Sequence, residues 1–178
     1  MGYGVSAAIG ACIGSARKQT FCIESDGSLM MNIQELATLK AQNLPVTVIV
    51  MNNGGYASIR NTQRNYFNGR FLGSGAESGL LIPDLAALAR DFGLEAETVS
   101  HRNELVAALD RQNGARPRLI NVHLSPDEIL APKVSAMPQA DGSIISMPLE
   151  DMSPLLPLEV LRAEMLLPLA EASVRARQ

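Results

Sequence analysis

The stretch "FCIESDGSLMMNIQELATLKAQNLPVTVIVMNN", Phe21 to Asn53, decides the fold. It opens on a short apolar run ending in acid, glycine and serine, then carries Leu29, Ile33, Leu36 and Leu39 at helical spacing, with Ser28 as an N-cap of a helix over 28–43. Pro45 breaks that helix, and "VTVIVM" follows as a β-branched run without alternation, the pattern of a parallel strand covered on both faces. Strand, helix and strand of these lengths make a βαβ unit, in which both strands end at the same edge of the sheet.

The same alternation extends in both directions. Upstream, "VSAAIGACIG" predicts a closely packed helix within 4–18, followed by a strand over 19–24. Downstream lie a turn at "NNGG", a short helix over 56–65 and the glycine-rich loop "NGRFLGSGAESG". Then come "PDLAALARDFG", a helix with Pro83 near its first position and Gly93 at its end, the strand "LEAETV", the helix "RNELVAALDRQN" and the buried strand "PRLINVHL". The fold class is α/β, a doubly wound, mainly parallel sheet. After Ser125 the character changes: six prolines from Pro126 through Pro157 predict an extended tail over 126–178, closing in a helical segment over 157–173 that Pro168 interrupts. The expected division is a domain over 1–125 and a tail packed on it or on a partner.

At 178 residues, 47% of them apolar, the chain has enough material for one packed core. Its net charge of −3, with Lys and Arg scattered, argues against a nucleic-acid partner. No apolar run nears the roughly 20 residues that span a bilayer. The two cysteines, Cys12 and Cys22, have no disulfide or zinc spacing, so both are expected to be reduced core residues. With no signal-type segment at Met1, the expected location is the cytoplasm.

Two constellations could carry chemistry. "GYGVSA" fits the dinucleotide pattern G-x-G-x-x-G/A, with Glu24 about 20 residues on as a ribose acceptor. That pattern needs a strand before its first glycine, and only Met1 stands there, so glycines permitting tight packing are the plainer reading. The second joins the two strand ends, Asp26 after one and Asn52-Asn53 after the next. A helix N-terminus attracts anions, which leaves Asp26 out of place unless a cation separates it from them. A carboxylate, an amide oxygen and backbone carbonyls are the hard donors Mg²⁺ prefers, with phosphate oxygens completing the octahedron. Singly, "DG" and "NN" are turn dipeptides; together, at one edge, they suggest a metal–diphosphate site.

"SDGSLMMNIQELATLKAQNLPVTVIVMNN" resembles the thiamine-diphosphate motif of the acetolactate synthase-like enzymes, G-D-G followed about 30 residues later by N-N, and "MGYGVSAAIGA" resembles the segment before it. The similarity covers about residues 1 to 125. It implies thiamine diphosphate and Mg²⁺ as cofactors, with Asp26, Asn53 and the Gly55 carbonyl as metal ligands. It also implies that Gly27 and Ser28 bind the diphosphate, that Met1 packs against the cofactor and that Gly2 lines the same pocket. The implied substrate is a 2-oxo acid, decarboxylated or joined to a second carbonyl compound, and the implied assembly is at least a dimer.

The chain departs from the family pattern in four respects. Ser25 replaces the first glycine of G-D-G, adding a Cβ in a tight turn. Ser58 stands where a methionine is usual, and Asn61-Thr62-Gln63 replaces Q-W-Q. The family's activating glutamate belongs to a separate pyrimidine-binding domain, for which 178 residues leave no room, and the first strand and helix of the diphosphate-binding domain itself are expected to lie upstream of Met1. Glu24 and Glu35 are not candidates for that glutamate, so no catalytic residue is assigned, and the isolated chain is expected to be inactive. A non-catalytic remnant or assembly module is the alternative. His101 and His123 are read as structural, Arg60 and Lys133 as solvated cations by default that could reach an anionic substrate, and Met137, Met147 and Met152 as packing or pocket residues.

Overall fold

The computed structural model describes residues 1–111, 116–127, 131–139, 141–175 and 177. They fall into two compact units, Met1–Glu128 and Ile129–Gln178. In the first, four parallel strands form one sheet in the order β1-β2-β4-β3: β1 (Thr20–Ser25), β2 (Val46–Asn52), β3 (Glu95–Val99) and β4 (Arg118–His123). The β-branched run of β2 sits between β1 and β4, pairing Val48 with Cys22 on one side and Leu119 on the other.

Alternation along these strands separates two apolar layers. Cys22, Val46, Val48, Val50 and Leu119 pack with Val5, Ala8 and Cys12 of α1 (Gly4–Gly14), Leu36 and Leu39 of α3 (Glu35–Ala41), and Leu85 and Ala89 of α5 (Leu85–Asp91). Ile120 and Val122, with Ile49 and Met51, pack against Leu105 and Ala108 of α6 (Arg102–Asp110). Helices therefore cover both faces, as the doubly wound reading requires.

Several helix boundaries differ from the sequence reading. The helix expected over 28–43 is two, α2 (Asp26–Leu29) and α3, joined by short-range turns from Met31 to Ser28 and from Asn32 to Leu29. Ser28 is not an N-cap: it lies within α2, and its Oγ accepts the Gly2 N–H at 2.7 Å. Asn32 supplies the reason for the break, because its side-chain amide donates to the Gly2 carbonyl at 2.6 Å. The first helix ends at Gly14 rather than near 18, since Ala16 and Arg17 take left-handed conformations. Pro83 precedes the cap of α5; Asp84 is the N-cap, its Oδ1 accepting the Ala87 N–H at 2.9 Å. Residues 112 and 113 of the helix expected over 102–113 lie outside the described residues.

The second unit carries short elements, among them the helical end expected over 157–173. It contains the antiparallel pair β5 (Ala136–Pro138) and β6 (Ile144–Ser146), then α7 (Leu158–Glu164) and α8 (Glu171–Arg175), with Pro168 in the break. Asp151, 1% exposed, is ion-paired with Arg177.

Candidate functional site

At the carboxyl edge of the sheet, the chain leaving β1 runs straight into α2, and the chain leaving β2 runs into the loop 53–56. Asp26 joins them. Its side chain is fully buried, its Oδ1 accepts the Gly27 N–H at 2.7 Å and its Oδ2 accepts the Gly55 N–H, also at 2.7 Å. The two motifs, "DG" and "NNGG", are thus locked together by charge-assisted bonds from one carboxylate. Ser25, expected to strain a tight turn, has φ −94° and ψ 158°, extended backbone that any residue adopts, so its Cβ costs nothing there.

The loop itself is fixed on both sides of Asn53. Asn52 Oδ1 accepts the Gly54 N–H at 3.1 Å, while Asn52 Nδ2 donates to Asn121 Oδ1 at 3.1 Å. Gly55 has φ +132°, and a Cβ there would lie 2.6 Å from the Ser74 carbonyl oxygen, so both conformation and space require glycine. A Cβ on Gly27 would lie 2.4 Å from Tyr56 Cε1: the Tyr56 ring covers the start of α2. Within this framework Asn53 Oδ1 is buried and, among the described residues, is the one buried side-chain nitrogen or oxygen with no hydrogen-bond partner. An unpaired buried acceptor is costly unless something satisfies it. A hard cation would do so, and a carboxylate and backbone carbonyls of the same loop region are oxygen donors that fit Mg²⁺ rather than a soft metal.

The expected diphosphate residues lie beside this centre. Gly27 and Ser28 are buried in α2. Because Ser28 Oγ accepts from Gly2, its hydroxyl proton is left to donate elsewhere. Gly2 takes φ +79° and is held on both its polar groups, by Ser28 and by Asn32. Met1 is 73% exposed.

Other candidates resolve into structural roles. Glu24 Oε2 accepts the Gly4 N–H at 3.0 Å and its Oε1 accepts the Ser25 N–H at 3.0 Å. A Cβ on Gly4 would fall 2.0 Å from that Oε2, so the second glycine of "GYGVSA" makes room for this carboxylate, and the amide a dinucleotide would need is already taken. Burial, with Glu24 nearby as the lesser cause, pushes the Cys22 thiol up to about 11. Glu35 accepts from Thr38 at 3.0 Å at the start of α3. His101 is the N-cap of α6, where Glu104 accepts from the N–H groups of Ser100 and His101; these bonds hold the Glu104 carboxyl below its usual range. His123 ends β4, exposed, with Nδ1 3.5 Å from Ser100 Oγ. Thr62 and Ser58 are exposed, the Thr62 hydroxyl donating to the Ser58 carbonyl, whereas Gln63 anchors the glycine-rich loop by accepting from Ser74 Oγ at 2.7 Å.

Arg60 is the clear correction. It is not solvated but 6% exposed, and its guanidinium donates to the carbonyls of Ser74 (2.8 Å), Asn53 (3.0 Å) and Pro126 (3.1 Å), with that of Gly54 at 3.5 Å. Tyr56 is the residue sequence reasoning missed; Arg60 was given the wrong role, and Asn52 was singled out without a role of its own. Only Asn52, adjacent to Asn53 in a dipeptide already singled out, offered a signal.

An open parallel sheet with an oxygen-rich centre joining two strand ends, beside a helix start, defines an anionic-cofactor binding domain of the α/β class. Comparison with known proteins makes this specific. The sequence model of the family described as "Thiamine pyrophosphate enzyme, C-terminal TPP binding domain" matches residues 1–122, and the chain belongs to that family. It is 38% identical over 138 residues to the acetolactate synthase large subunit of Parasynechococcus marenigrum, covering 75% of this chain and 22% of that protein. Against the isozyme 2 large subunit of Escherichia coli it is 35% identical over 131 residues, 72% of this chain and 23% of the relative. Among solved structures, the thiamine diphosphate-dependent 4-hydroxybenzoylformate decarboxylase of Rhodococcus jostii RHA1 matches with TM-score 0.60 and 27% identity, over 72% of this chain and 24% of that one. The chain spans about a fifth to a quarter of the length of these relatives.

Proposed function

We propose that this chain is the diphosphate-binding part of an acetolactate synthase-like enzyme that decarboxylates or joins 2-oxo acids, and that it holds thiamine diphosphate through Mg²⁺. Asp26, Asn53 and the Gly55 carbonyl hold the metal; Gly27 and Ser28 meet the diphosphate; Gly2 and Met1 face the cofactor body. The observation that carries this reading is the buried Asn53 Oδ1, without a hydrogen-bond partner among the described residues, in a loop tied to Asp26. The unspent Ser28 hydroxyl proton adds a donor suited to phosphate oxygens.

When bound, thiamine diphosphate supplies the carbon nucleophile and electron sink of 2-oxo acid chemistry, and Mg²⁺ neutralises the diphosphate. This chain's own residues bind and orient. Glu24 and Glu35 are committed to Gly4 and Thr38; the activating glutamate that the family resemblance implies would come from a pyrimidine-binding domain outside these residues, supplied by another chain. No helix among the described residues is long and apolar enough to cross a membrane. The two free, buried cysteines fit a reducing compartment, and a cytoplasmic location is part of the proposal.

Calorimetric titration with thiamine diphosphate, in Mg²⁺ and in EDTA, tests this, with NAD as the control ligand. Mg²⁺-dependent binding is expected, with no NAD binding and no 2-oxo acid turnover by the chain alone. Binding of NAD in preference to thiamine diphosphate would overturn the reading. Turnover by the chain alone would overturn the need for a partner domain.

A further inference from the structure

Arg60 lies on α4 (Ala57–Tyr66), a helix otherwise exposed or half-buried, yet its guanidinium is buried and, among the described residues, pairs with no carboxylate. Carbonyl oxygens from three separate segments take its hydrogen bonds: Asn53 and Gly54 in the loop after β2, Ser74 in the glycine-rich loop and Pro126 beyond β4. The Ser74 carbonyl also accepts the Tyr56 N–H at 3.0 Å. Taking a charge out of water is costly unless its donors are met, and here main-chain dipoles meet them.

We infer that Arg60 is a positioning residue for the metal-binding loop, an inference that rests on the functional reading above. The guanidinium holds the carbonyls of Asn53 and Gly54, while Asn52 Oδ1 holds the Gly54 N–H and Asp26 the Gly55 N–H. The backbone of 53–55 is therefore fixed before any ligand arrives, and Asn53 Oδ1 is kept without a donor among the described residues. Ordering that loop when the metal binds would weaken affinity, so fixing it beforehand strengthens it. A planar fork with five donors can reach several carbonyls from one position; a lysine ammonium is a point charge and cannot replace it.

The experiment is an Mg²⁺ titration of thiamine-diphosphate binding by Arg60→Lys, with Arg64→Lys as control. Arg64 is half-exposed on the same helix, 3.6 Å from Asp127. Residues that orient metal ligands typically change metal affinity about 10–100-fold, so the half-saturating Mg²⁺ concentration of Arg60→Lys should rise by about that factor. Cofactor affinity in EDTA should stay at the wild-type value, as should every property of Arg64→Lys. Half-saturation within about twofold of wild type, or equal loss of affinity with and without Mg²⁺, overturns the inference while the functional reading stands. Absence of Mg²⁺-dependent binding by the wild-type chain overturns both. Should Arg60→Lys fail to fold, arginine-selective NMR of the wild type decides: the Arg60 Nη–H signals should be protected from exchange and should shift when Mg²⁺ and thiamine diphosphate are added. Unprotected or unmoved signals overturn the inference.

Discussion

Replacing Asp26 separates the structural task of that carboxylate from its task toward a metal. In the folded chain it accepts two buried N–H groups, from Gly27 and Gly55, each at 2.7 Å. Asp26→Ala leaves both donors without an acceptor, and a buried donor so stranded costs about 1–3 kcal/mol, or roughly 4 kcal/mol for the pair. For a chain of this size that corresponds to a fall in melting temperature of about 8–16 °C. Asp26→Asn keeps one acceptor oxygen and turns the other into a donor facing an N–H, so about half of that loss is expected. The two variants should nevertheless behave alike toward Mg²⁺, because both remove the charged ligand. Thermal melts of the ligand-free protein and calorimetry with thiamine diphosphate in Mg²⁺ and EDTA read the two effects separately. A melt of Asp26→Ala within about 2 °C of wild type would refute the hydrogen-bond reasoning, and unchanged Mg²⁺-dependent affinity in Asp26→Asn would refute the metal assignment.

Gly27→Ala places a methyl group 2.4 Å from Tyr56 Cε1. Displacing the ring should destabilise the protein by about 1–3 kcal/mol and weaken cofactor binding, and the double variant with Tyr56→Ala should recover stability; a double variant no more stable than Gly27→Ala alone would show that the ring is not the obstacle. Ser25→Gly restores the family glycine but, at extended φ and ψ, relieves no strain; it should lower stability by about 0.5–1 kcal/mol through the unfolded chain and leave cofactor affinity within about twofold. Tenfold tighter binding would contradict that geometry. Cys22 holds its proton up to about 11 when folded and releases it near its ordinary value of 9 when unfolded. Stability from this group is therefore complete below pH 9 and is lost as pH rises toward 11. Denaturant titrations at pH 8 and 10.5 should show that decline in wild type and a smaller one in Cys22→Ala; equal slopes would refute it.

The sheet and the site were legible in the sequence to different depths. The β2 run gave the parallel unit, and the two turn dipeptides after β1 and β2 pointed to the edge where the site is proposed, because β-branched burial and strand-end chemistry are written in residue types. The helix boundaries were not. Leu29, Ile33, Leu36 and Leu39 keep helical spacing across a break made by Asn32 reaching the Gly2 carbonyl, 30 positions away in sequence. Periodicity reports which residues face the core, and the core accepts Leu29, Leu36 and Leu39 from two short helices as well as from one long one.

Arg60 was misread for a deeper reason. Each of its acceptors is a main-chain carbonyl, on Asn53, Gly54, Ser74 and Pro126, and a carbonyl has no residue type by which to announce itself. An arginine facing a carboxylate can be guessed from charge spacing; one facing backbone cannot. The same property explains why this chain can depart from its relatives at Ser25 without disturbing the centre. Asp26 holds the N–H groups of Gly27 and Gly55, Asn52 that of Gly54, and Arg60 the intervening carbonyls, so the loop is fixed through atoms that most substitutions conserve. Side-chain identity is demanding only where a ligand, a positive φ or a ring must fit: at Asp26, Asn53, Gly55 and Gly27. On the proposed reading, those positions, rather than overall resemblance to G-D-G, would decide whether this chain keeps the site.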